Sequence, residues 1–78
     1  MNNAVRVTED TWGVFAPSGS VAAAVVIVPM GMMSFQVVRL SPVDGRTSVR
    51  SVVADGLTLA EAEAVASAEA YRLAQGVA

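Results

Sequence analysis

From Thr11 to Val38 the chain runs for 28 residues without a charged side chain, and within that run Val21 to Val28 reads V-A-A-A-V-V-I-V. The octet has the length and the β-branched content of a buried strand. Pro17, Ser18, Gly19 and Ser20 precede it, Pro29 and Gly31 follow it, and Ser34 and Gln36 come before Arg39. A membrane-spanning helix needs about 20 consecutive apolar residues, so these interruptions argue against one. On either side the pattern is strand-like. Ala4 to Thr8 alternates around Arg6 and predicts a short first strand or an extended lead-in, and Trp12 to Ala16 predicts a second strand, closed by the turn former P-S-G-S. After M-G-M-M, where Gly31 permits a bend, Ser34 to Leu40 sets Phe35, Val37 and Arg39 on one face and Gln36, Val38 and Leu40 on the other. The sequence S-P-V-D-G from Ser41 to Gly45 predicts a hairpin loop, and Arg46 to Ala54 is the return strand.

The period then changes. Thr58-Leu59-Ala60-Glu61 is a capping box, in which the Thr58 hydroxyl accepts from the amide three residues on and Glu61 reaches back to the Thr58 amide. Asp55 and Gly56 make the turn into this helix, and Gly76 occupies the place of a C-terminal cap. At 3.6 residues per turn Leu59, Ala62, Ala66, Ala70 and Leu73 share a stripe, with Val65 and Ala74 at its margins, which predicts a buried face lined mostly by alanine. The expectation is a single α+β domain over residues 1–78: a small antiparallel sheet of three to four strands, with one C-terminal helix packed on one face. The order of the strands is not legible.

Composition excludes more than it assigns. Cysteine and histidine are both absent, so a disulfide, a thiol nucleophile and a normal zinc site are all excluded, and a reducing compartment fits. No lysine occurs: the five basic residues are Arg6, Arg39, Arg46, Arg50 and Arg72. The serines therefore have neither His nor Lys to activate them. Asp44 is accounted for by its turn, Asp55 by the turn into the helix and Glu61 by its cap, while Glu61 and Glu63 are two apart and do not face each other. No phosphate-cradling loop is present. The chain is expected to be no enzyme, with no catalytic residues, metal or cofactor. A secretory signal is not expected either, because Glu9 and Asp10 separate Arg6 from the apolar stretch. The arginine bias with abundant Ala and Val points to a GC-rich bacterial or phage genome, and the cytoplasm of a bacterial host is the expected location.

What remains is binding. Asp55, Glu61, Glu63 and Glu69 face only Arg72 in the C-terminal third and form a candidate acidic surface for a basic protein partner. Met30, Met32 and Met33 flank Gly31 and form a candidate pliable apolar surface for a partner or a homodimer, since Val21 to Met33 carries more apolar surface than one Ala-lined helix covers. Arg39, Arg46 and Arg50 on the hairpin are the alternative, a β-ribbon gripping phosphates. With a formal net charge of −2, nucleic acid is the less favoured partner.

In size, strand-then-helix organisation, acidic balance and lack of catalytic machinery, the chain resembles the small anti-CRISPR inhibitors encoded by phages and mobile elements. That resemblance implies a protein that occupies a surface of a CRISPR effector complex. A second likeness lies in L-T-L-A-E-A-E-A, which is similar to the T-x-x-E-A helix start of the three-strand-plus-helix modules at the N-termini of tyrosine recombinases. Those modules are basic and this chain is acidic, so the likeness stops short of DNA binding.

Overall fold

The computed structural model describes residues 2–43 and 47–76, and the hairpin loop containing Asp44, Gly45 and Arg46 lies outside them. Five strands, β1 (Asn3–Thr8), β2 (Thr11–Phe15), β3 (Val21–Pro29), β4 (Phe35–Val43) and β5 (Thr47–Leu57), precede one helix, α1 (Leu59–Ala74). All neighbours pair antiparallel, and the order in space is the order in sequence, β1-β2-β3-β4-β5. The α+β class and the C-terminal helix agree with the sequence pattern. The strand count is corrected from three or four to five, because the weakly alternating N-terminal segment joins the sheet as its outer strand rather than as a lead-in.

Cross-strand pairs sort the sheet into two faces. On the helix side run the rows Arg6–Trp12–Val25–Arg39–Ser51 and Ile27–Val37–Ala54. Trp12, Val14, Ala23, Val25, Ile27 and Val37 form the core there with Ala62, Ala66, Ala70 and Ala74. Alanine at every fourth position leaves no side chain to hold the helix axis away from the sheet, and Ala62, Ala66 and Ala70 are each 0% exposed. The buried stripe thus runs through Ala74, while Leu59, expected inside, is 50% exposed. As the first helical residue, Leu59 lies one turn outside the alanine ladder.

Both helix caps form as their local sequence dictates, but β5 runs through Asp55 and Gly56, expected to be the turn into the helix, as far as Leu57. The Glu61 amide donates to the Thr58 hydroxyl at 3.2 Å, and the Thr58 amide donates to the Glu61 carboxylate at 2.9 Å. At the other end Gly76 takes φ 72°, a left-handed conformation open to glycine, and its amide donates to the Leu73 carbonyl. No helix among the described residues is long and apolar enough to cross a membrane.

Candidate protein-binding surface

The four acids expected to form one docking face are each held by a partner within the chain. Glu63 accepts from Arg6 at 2.7 Å, across 57 residues of sequence. Glu69 accepts from Arg39 at 3.2 Å and from Arg72 at 2.7 and 2.8 Å. Glu61 closes the capping box, and the Asp55 carboxylate accepts from the Gly56 amide at 2.8 Å. The helix acids therefore tie α1 to β1 and β4 and cap its start, rather than standing together as free charge.

Of the arginines of the nucleic-acid alternative, Arg39 and Arg50 are likewise not brought together. Arg39 points to the helix side, where Glu69 holds it, whereas Arg50 pairs across from Leu40 and lies on the opposite face. Arg46 lies outside the described residues.

The methionines behave differently. Met30, Met32 and Met33 occupy the β3–β4 loop, closed by the Met30 amide donating to the Ser34 carbonyl at 2.9 Å. Met32 is 97% and Met33 88% exposed. Met33 also sits at φ 57°, in the left-handed region that a side chain with a Cβ enters at a cost of about 1–2 kcal/mol. Pro29 and Phe35, which bracket this loop, line a cleft of about 620 Å3 with Val7, Ile27 and Leu59 on its apolar side and Arg6, Thr8, Glu9, Asp10 and Glu63 on its polar side. The exposed Leu59 is thus part of the apolar side of a half-polar cleft, which joins the loop of exposed thioethers through Pro29 and Phe35.

Arg6 sets the polar rim. Its guanidinium lies 4.7 Å from the centroid of Trp12, donates to the Glu9 carbonyl at 2.6 Å and reaches Glu63. Cation–π attraction and two acceptors hold it in one place. Sequence reading missed this cluster and the cleft beside it. The one local signal was the symmetric placing of Arg6 and Trp12 about Glu9, which a hairpin turns into a cross-strand pair.

Titration of these groups has a definite sign. The Arg72 guanidinium holds the Glu69 carboxyl below its ordinary value of 4.5, the Thr58 amide does the same for Glu61, and the Thr8 hydroxyl lowers Asp10 from 3.8. Depressed carboxyl values mean that the folded state binds fewer protons than the unfolded one. Their contribution is therefore present above about pH 4.5 and is lost as pH falls through the lowered values. Urea unfolding midpoints should be flat from neutral pH to about 5 and drop below 4. In Glu69→Gln the acid-side drop should be shallower and the neutral-pH midpoint lower.

Comparison with protein-family models, curated proteins and solved structures returned no match. The functional reading accordingly rests on the site.

Proposed function

We propose that this chain is a non-catalytic protein-binding inhibitor or adaptor that receives an apolar side chain of a larger protein at the methionine-lipped end of its sheet. The observation that carries this reading is that Met32 and Met33 are almost fully exposed in a loop flanked by Pro29 and Phe35, which with Ile27 and Leu59 form the apolar side of a cleft rimmed by Arg6, Glu9, Asp10 and Glu63. Exposed thioethers lose apolar contact with no return in the isolated chain, and unbranched methionine adapts to an irregular partner surface. The left-handed Met33 strengthens the case. Glycine or asparagine would hold the same turn with less strain, and backbone strain of this kind gathers at functional positions.

The resemblance to anti-CRISPR inhibitors makes a CRISPR effector complex the first partner to test. The full chain, immobilised and exposed to lysate of a bacterial host, should retain a protein complex. Met32→Lys with Met33→Lys should release that complex, whereas Arg50→Ala should not. Retention of nucleic acid alone, lost on Arg50→Ala, would overturn the reading in favour of the arginine hairpin.

Met33→Gly separates binding from stability. Relief of the left-handed strain and the greater freedom of glycine in the unfolded chain oppose each other, so unfolding free energy should stay within about 1 kcal/mol of wild type. Partner retention should fall. A variant that keeps full binding would show that the Met33 side chain makes no contact.

A further inference from the structure

The face of the sheet opposite the helix is also apolar, and among the described residues no second element packs across it; its own neighbours close Val38 to 1% exposure, while Val5 and Val52 towards its two sides stay open. Its two central rows, read from the strand pairings, are Val5–Gly13–Ala24–Leu40–Arg50 and Thr11–Val26–Val38–Val52. In an antiparallel sheet with one covered face, the other is ordinarily polar. Here the non-alternating V-A-A-A-V-V-I-V supplies both faces, and the helix takes only Ala23, Val25 and Ile27.

From this face we infer that the chain forms a two-fold dimer in which two sheets pack face to face, helices outward. Three observations choose a second copy as the occupant. Charge is segregated: the ion pairs among the described residues all involve α1, on the far side, and the central rows of the open face hold one charged side chain, Arg50, at their outer end. Such a face offers no charge pattern by which a different protein would be selected, and it does not repel itself. Topology makes it self-complementary. Because β3 is the middle strand of five, a two-fold axis parallel to it lays β3 over β3 and β1 over the β5 of the other copy, covering the whole face.

Area is the third. Five strands about 4.8 Å apart and about six residues tall give a face of roughly 24 by 20 Å, so two copies enclose about 1,000 Å2, the lower bound for a specific interface. Packing edge to edge is disfavoured by comparison, since β1 carries one register shift against β2 and β5 two against β4, and irregular edges pair poorly with a new strand. The interface is distinct from the methionine-lipped cleft and leaves that end open in both copies.

Sedimentation of the full chain across the micromolar range tests the inference. Wild type should be a dimer. Val5 and Val52 lie on the two outer strands and are 43% and 57% exposed in a single copy, so Val5→Lys with Val52→Lys should fold normally, as judged by circular dichroism and Trp12 fluorescence. The dissociation constant of that variant should rise about 100-fold or more, because unpaired ammonium groups would be buried between the sheets. Met32→Lys should leave the dimer intact. A wild-type monomer at every concentration, or a dimer indifferent to the two lysines, would overturn the inference. A monomer that still retains a partner through Met32 and Met33 would do so while leaving the proposed function standing.

Discussion

Trp12→Ala is expected to lose about 3–5 kcal/mol of unfolding free energy, the cost typical of removing a buried large aromatic. Trp12 is 5% exposed, opposes Arg6 on β1 and Val25 on β3, and is part of the core under the helix. Its loss opens a cavity at the centre of the helix-side row and removes the ring on which the Arg6 guanidinium rests. Arg6 then reaches Glu63 from a poorer position, so the contact tying β1 to α1 weakens at the same time. A domain this small has a margin near the low end of about 5–15 kcal/mol, and the variant should be partly unfolded without denaturant. Urea unfolding followed by circular dichroism measures the effect. Trp12→Phe keeps an aromatic face and should lose about half as much; equal losses in the two variants would show that the cavity and Arg6 contribute little.

Ala66→Leu comes second, with an expected loss of about 2–3 kcal/mol from overpacking. Ala66 is 0% exposed in the middle of the buried ladder. Three added carbons there must lift the helix from β2, β3 and β4 or force the sheet side chains out of their rotamers. Ala64 lies on the exposed side of the same helix. Since leucine and alanine differ little in helix propensity, Ala64→Leu isolates packing from helix formation and should be nearly neutral. Trp12, the single tryptophan, reports both transitions by fluorescence. Equal midpoints for the two variants would refute the close helix-to-sheet contact.

The acidic helix illustrates where local reading ends. Glu61 was legible as a cap because its partner is three residues away. Glu63 and Glu69 were not legible as paired, because Arg6 and Arg39 lie 57 and 30 residues away and reach them only once the hairpins form. Charges that look free along the chain were therefore the ones most fully used across it. The methionine loop differed: Met30, Met32 and Met33 remain exposed among the described residues.

By itself the sequence determined the helix with both caps, the strand character of Val21 to Val28, the facing of Phe35, Val37 and Arg39 away from Gln36, Val38 and Leu40, and the α+β class. These depend on contacts within about four residues, or on the two-residue pleat, and such contacts are written in the order of the side chains. The tertiary structure alone decided that all five strands join one sheet in meander order, that the helix covers the Ala23–Val25–Ile27 face of β3 and leaves the Ala24–Val26–Val28 face open, and that Leu59 becomes the wall of a cleft. The reason is that both faces of β3 are comparably apolar, so its own residues do not say which one is buried. That choice falls to distant partners, the alanine ladder of α1 and the arginines of β1 and β4 that anchor it.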